Sequence, residues 1–237
     1  MLAAPAYTPL RIADIEIGLP VVQAALSGYS DWAMRILARR MGAPYTLCEV
    51  MLDQFLIGHS HFKKNASRVK VTPDEFPVGG QLMGADPEDF GPAAQRLIAL
   101  GFTIIDINFG CPVRKVVGRC RGGYHLSQPD VVLEIVDRVR AACPPEVPVT
   151  LKMRRGIDDT AEARDKFYTI LDGAFARGAA AITVHGRTVK QGYIGPSRWE
   201  FLTEVKRHVA RRLSLAAATC LRPRRAWRCS ARPASTV

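Results

Sequence analysis

The chain has 237 residues, 48% of them hydrophobic and 23% charged, an ordinary balance for one globular core. No run of about 18 uncharged apolar residues occurs, so no membrane span is expected. The N-terminus, MLAAPAYTPLRIADIE, has no basic stretch ahead of its apolar start and is broken by Pro5 and Pro9, so a secretory leader is not expected and the compartment is expected to be the cytoplasm. The net charge of +11 suggests a nucleic-acid partner, but its location weakens that inference. Seven of the 33 Lys and Arg residues lie in 211–237, which holds no acid, so residues 1–210 carry 26 basic against 22 acidic side chains. The six cysteines (48, 111, 120, 143, 220 and 229) contain no C-x-x-C pair, so no structural metal site is expected and the thiols should be free.

Strand-like and helix-like segments alternate along residues 19–209. Leu19–Ala24 reads as a first strand. Asp31–Met41 reads as a helix capped by Ser30, with Ala33, Ile36, Leu37 and Met41 at helical spacing. Tyr45–Glu49 and Pro77–Leu82 are the next strands. Asp86-Pro87-Glu88 is a helix start, with a cap, a proline at the first position and an acid in the first turn; Gly101 ends that helix. Thr103–Ile107 is a fourth strand, and Ser127 and Pro129 open the helix after it. Val147–Lys152 is a fifth strand, Ala161–Arg177 its helix, Ala181–Val184 a sixth strand and Trp199–Val209 its helix.

Six βα units in series argue for a parallel sheet. A G-x-G-x-x-G turn is missing after the first strand, which counts against an open dinucleotide-binding sheet. Polar residues recur instead at successive strand ends, Gln81, Asn108, Lys152 and His185, as in barrels whose chemistry sits on one rim. The fold expected is an α/β, incomplete (β/α)₈ TIM barrel of about six units. From Arg211 the pattern stops. A βα unit takes roughly 30 residues, so the seventh and eighth strands are expected to be missing. Residues 1–210 then form a partial barrel domain and 211–237 an irregular Arg-rich tail, either out of frame or a disordered basic arm.

Three segments carry candidate chemistry. In Asp106-Ile-Asn108-Phe-Gly110-Cys111-Pro112, a thiol sits on a tight loop at a strand end; a buried Cys beside a turn proline is the simpler reading, and Asn108 weighs against it. In Leu151-Lys152-Met153-Arg154, a lysine at an inward strand end needs a partner, either an anionic ring or an internal salt bridge. In Val184-His185-Gly186-Arg187-Thr188, His185 stands in register with Asn108 and Lys152.

Together these segments resemble the tRNA-dihydrouridine synthase family, whose barrel carries N-x-G-C-P with a Lys shortly after, V-K-x-R, and V-H-G-R-T. Here they read Asn108–Pro112 with Lys115, Leu151–Arg154 and Val184–Thr188. The family's A-P-M-x-G-x-x-D is degraded to Ala24–Asp31. The resemblance covers about residues 17–209. It implies FMN across the barrel mouth, NADPH as reductant and a flipped uracil of tRNA as substrate. Cys111 would be the acid that protonates C5, a task that suits a thiol. Lys152 would neutralise the flavin N1–O2 edge. Gln81 and Asn108 would bond flavin or uracil, His185 would contact either, and Ala25, Leu26 and Ser27 would offer backbone contacts. Lys115, Arg154 and Arg187 are candidates for RNA contact, and Arg187 and Lys115 could equally be solvated surface charge. Cys120, in a Gly-rich loop, is a secondary thiol. The expected protein is a monomer without metal or membrane partner. The barrel FMN phosphate site lies after the seventh and eighth strands, so their loss predicts weak FMN binding and low solubility. Competing readings are another FMN barrel such as dihydroorotate dehydrogenase, and an inactive RNA-binding remnant.

Overall fold

The computed structural model describes residues 9–58, 66–209 and 214–217. An antiparallel hairpin of β1 (Leu10–Ile12) and β2 (Ile15–Gly18) comes first, followed by helix α1 (Trp32–Arg40). Then come β3 (Thr46–Leu47), β4 (Met51–Leu52) and the short helices α2 (Asp53–Ile57) and α3 (Ala66–Val69). From β5 (Val78–Met83) the βα alternation is regular: α4 (Pro87–Ala99), β6 (Ile104–Phe109), α5 (Arg114–Val117), α6 (Pro129–Ala142), β7 (Val149–Arg154), α7 (Ala161–Ala176), β8 (Ala181–His185), α8 (Trp199–Val209) and β9 (Ser214–Ala217). No helix among the described residues is long and apolar enough to cross a membrane.

One parallel sheet runs β3-β5-β6-β7-β8-β9, with β4 also paired to β5. Period-two alternation splits each strand between two environments. Ile105, Ile107 and Phe109 of β6 pack outward into the cluster that contains Val132, Ile135 and Val136 of α6 and Phe167 and Ile170 of α7. Each such buried side chain contributes about 1.5–3 kcal/mol. Ile104 and Ala181, at the N-terminal ends of β6 and β8, pack instead with Tyr45, Leu47 and the hairpin residues Leu10, Ile12 and Ile17. The hairpin therefore closes the N-terminal end of the sheet's inner face with hydrocarbon. The C-terminal end remains for polar groups.

The sequence expectations need several corrections. Ser214–Ala217 pairs in parallel with β8, so a seventh barrel strand exists where the pattern seemed to stop. Four short, uncharged residues suffice to extend the ladder, and their brevity hid them from a periodicity argument. The rest of the expected tail, and any eighth strand after it, lies outside the described residues. The first strand is reduced to one parallel bridge, Gln23 to Thr46. The hairpin was not anticipated. The cap of α1 is Asp31, which accepts from Met34 N at 3.0 Å, and not Ser30. Its expected inward residues Leu37 and Met41 are 59% and 81% exposed, while Arg35 is fully buried.

Arg35 explains that rotation of the helix. Its Nε donates to Glu75 at 2.8 Å, with both side chains fully buried. Its other nitrogens donate to the Ser30 and Lys70 carbonyls at 3.1 and 2.6 Å. Removing one partner of such a pair strands a buried charge and costs about 3–5 kcal/mol. Glu75→Ala is therefore expected to lower the urea-unfolding free energy by that amount. A change under about 1 kcal/mol would show the pair to be dispensable.

Candidate active site

Strand register builds the site. Asn108 pairs with Lys152, Lys152 with Thr183, and Arg154 with His185. On β6, β7 and β8, Asn108, Lys152 and Thr183 are the only residues that are not buried, and they form one row across neighbouring strands. That row faces the open C-terminal end of the sheet. Thr183 was not picked out from the sequence; a threonine in an apolar strand looks like ordinary β-propensity.

A polar layer lies under the row. The buried Asp106 carboxylate accepts from Thr150 Oγ1 at 2.6 Å and from Gln81 Nε2 at 2.7 Å. Gln81 Oε1 accepts from Asn108 Nδ2 at 2.9 Å. Asn108 Oδ1 accepts from the backbone N–H groups of Gly110 and Cys111 at 3.0 and 3.1 Å. Gln81 thus acts through Asn108. Burial raises the Asp106 pKa, opposed by these hydrogen bonds and by the charge of Lys152.

Lys152 Nζ has no hydrogen bond or ion pair among the described residues. Burial lowers its pKa, and the charge of Asp106 partly restores it. His185 is buried, and its Nε2 has no hydrogen-bond partner among the described residues. Burial first, then the charges of Arg154, Lys152 and Arg187, lower its pKa to about 3. An unpaired ammonium and an orphaned imidazole nitrogen beside it need a ligand with acceptors and spread negative charge. The isoalloxazine edge of a flavin fits that description.

Cys111 is half-buried and free. Its carbonyl accepts from Gly123 N at 3.0 Å. Gly122 adopts φ +58, and a Cβ there would stand 2.8 Å from Cys111 Cβ, so glycine is required for the loop to close on the thiol. Arg154 secures the other side: its Nε donates to Gly110 O at 2.9 Å, and its Nη1 to Thr188 O and Gly192 O at 2.8 and 2.7 Å. Arg187 is buried and donates to Gly195 O at 2.9 and 2.6 Å. Neither arginine is a solvated surface charge; both hold loops by their carbonyls. Lys115 is exposed on α5. Cys120 is exposed at φ +54, and its hydrogen bond to Tyr124 raises the tyrosine pKa.

The Ala25–Ser27 loop follows the Gln23 bridge. The Leu26 N–H is already committed to Ser30 Oγ at 2.9 Å, so it is not free for a ligand. Gly28, at φ +81, donates its N–H to Glu49 Oε2 at 2.8 Å. Glu49 and Ser30 hold this loop, a role that the sequence did not signal, since one acid and one serine carry no motif of their own. Among the described residues no cluster of three His, Cys, Asp or Glu could hold a metal ion.

Because the folded state keeps His185 neutral, the unfolded chain binds a proton that the native one refuses between about pH 6.5 and the folded value of about 3. Stability should fall as pH falls through that window, by at most about 1.4 kcal/mol per pH unit. His185→Gln should remove this part of the slope, and an NMR titration midpoint for His185 near its ordinary value would contradict the assignment.

Comparison with known proteins agrees with this architecture. Histamine dehydrogenase from Rhizobium sp. 4-9 superposes with a TM-score of 0.69 at 13% identity, covering 94% of this chain and 43% of that one. Morphinone reductase superposes with a TM-score of 0.65 at 14% identity, covering 94% of this chain and 82% of that one. These likenesses concern the fold alone. In sequence, a probable tRNA-dihydrouridine synthase 1 of Synechocystis is 37% identical over 198 residues, 84% of this chain and 54% of the relative. The tRNA-dihydrouridine synthase B of Pseudomonas aeruginosa is 34% identical over 203 residues, 85% of this chain and 58% of the relative. The tRNA-dihydrouridine(16) synthase of Pseudomonas syringae is 34% identical over 194 residues, 79% of this chain and 60% of the relative. The chain thus spans between half and three-fifths of the length of these relatives. The dihydrouridine synthase (Dus) family model matches residues 22–226, past the point where the sequence pattern seemed to end, and the chain belongs to that family.

Proposed function

We propose that this chain is the flavin-binding barrel portion of a tRNA-dihydrouridine synthase, reducing the C5–C6 double bond of a uridine in tRNA with FMN and NADPH in the cytoplasm. The observation that carries the reading is the placement of the Cys111 loop beside an unpaired Lys152 ammonium and an orphaned His185 nitrogen at one mouth. Bound FMN, reduced by NADPH, would supply the hydride. The chain's own residues do the rest. Lys152 offers positive charge to the N1–O2 edge of the ring, where negative charge accumulates on reduction. His185, neutral, offers a hydrogen bond without adding charge. Asn108 keeps one amide hydrogen for ring or uracil. Cys111 Sγ holds the proton that C5 takes up as C6 is reduced, which keeps atoms and electrons in balance.

The rim suits a flipped pyrimidine. Leu26, Tyr29, Val113, Tyr193 and Ile194 are exposed large apolar side chains, on the loops that follow the Gln23 bridge, β6 and β8. Arg154 lies 5.4 Å from the Tyr193 ring centroid, beneath an aromatic face open to a base. Lys115 remains available for phosphate. Arg154 and Arg187 shape the rim through the loops they hold.

The test is conversion of an unmodified tRNA transcript with FMN and NADPH, read as dihydrouridine by nucleoside mass spectrometry. Cys111→Ala should lower the rate by about 10²–10⁴, the usual worth of a positioned proton donor, with the bound-flavin spectrum unchanged. An undiminished rate, or activity on dihydroorotate and none on tRNA, would overturn the proposal.

A further inference from the structure

We infer that Asp106, which lies one layer below the site, is a positioning residue that fixes the polarity of an amide relay ending on the Cys111 backbone. The relay runs Thr150 and Gln81 to Asp106, Asn108 to Gln81, and Gly110 and Cys111 to Asn108, with every link between 2.6 and 3.1 Å. Its direction is determined from both ends. Backbone N–H groups only donate, so the Asn108 atom facing Gly110 and Cys111 is its carbonyl oxygen. The Asn108 amide nitrogen then faces Gln81, which must present its oxygen. Gln81 is left with its nitrogen toward Asp106, and a carboxylate is the acceptor that meets it. Two donors on the two Asp106 oxygens match the ionised form.

If the relay reversed, Asn108 would turn its NH₂ toward two backbone N–H groups. Donor would face donor, and the loop that carries the thiol would lose its inner anchor. Arg154 on Gly110 O and Gly123 on Cys111 O hold the same loop from outside. The thiol is therefore held by both faces, and Asp106 governs the inner one. The significance for catalysis rests on the role proposed for Cys111, whereas the relay stands on geometry alone.

The test reads the thiol directly. Iodoacetamide labelling of the full chain, resolved by peptide, gives separate rates for Cys111, exposed Cys120 and buried Cys143. Asp106→Ala should speed labelling of Cys111 at least about fivefold, the scale of one hydrogen bond lost. Cys120 should not change, and Cys143 should stay protected, which separates a released loop from general loosening. Asp106→Asn should stay within about twofold of the parent, because its carbonyl can face Gln81 while its amide meets a rotated Thr150 hydroxyl. Gln81→Met keeps a side chain of similar length without the relay; it should match Asp106→Ala, and it decides the matter if that variant does not fold. Unchanged Cys111 labelling in folded Gln81→Met, or an Asp106→Asn effect as large as that of Asp106→Ala, would overturn the inference. Faster Cys111 labelling in a chain whose parent makes no dihydrouridine would support the relay while counting against the functional reading.

Discussion

Everything at the mouth depends on the register of three parallel strands. Asn108, Lys152 and Thr183 meet because β6, β7 and β8 pair where they do. Side chains alternate between faces, so a slip of one residue would send the whole row into the helix-facing hydrocarbon. The register is enforced from both sides. Ile105, Ile107 and Phe109 need the outer core, and Ile104 and Ala181 need the hairpin that closes the opposite end. On the inner face of these strands, polar groups are left the C-terminal end, where Asp106, Gln81, Asn108 and Thr150 partner one another.

The site's electrostatics follow from that confinement. Burial first, and then the positive charges of Arg154, Lys152 and Arg187, keep His185 neutral. The two arginines are already satisfied by loop carbonyls, so they act as fixed charges and staples. Lys152 is different: among the described residues its ammonium has no hydrogen bond or ion pair, and the charge of Asp106 is the neighbour that favours its protonated form most. Beneath it the Asp106 relay supplies order without occupying the space a ligand needs.

Much of this was legible in the sequence, for physical reasons that can be named. The helix at Pro87 was readable because cap, proline and first-turn acid coincide, and Asp86 does accept from Glu88 N. Asn108 and Lys152 were readable as the polar members of strongly apolar strands, whereas His185, expected in register with them, pairs with Arg154, and Thr183 stands in their row. Legibility failed where local signals compete with tertiary contacts. Arg35 turned α1 away from its apolar periodicity because its charge found Glu75, forty residues away. Ser30 looked like a cap and instead holds the Leu26 N–H. The carbonyl contacts of Arg154 and Arg187 were not legible, because burial of an arginine by carbonyls leaves no pattern in the chain. Ser214–Ala217 was too short for any period to register, and only the β8 edge reveals it.

The central claim is that thiol, ammonium and imidazole share one flavin-sized mouth. It is tested most directly by titrating FMN into the chain while following two signals at once, the flavin absorbance shift and the labelling rate of Cys111. One mouth requires saturable protection of Cys111 with the same midpoint as the spectral change, and no protection of Cys120. Flavin binding that leaves Cys111 as reactive as before would place the thiol elsewhere and contradict the account.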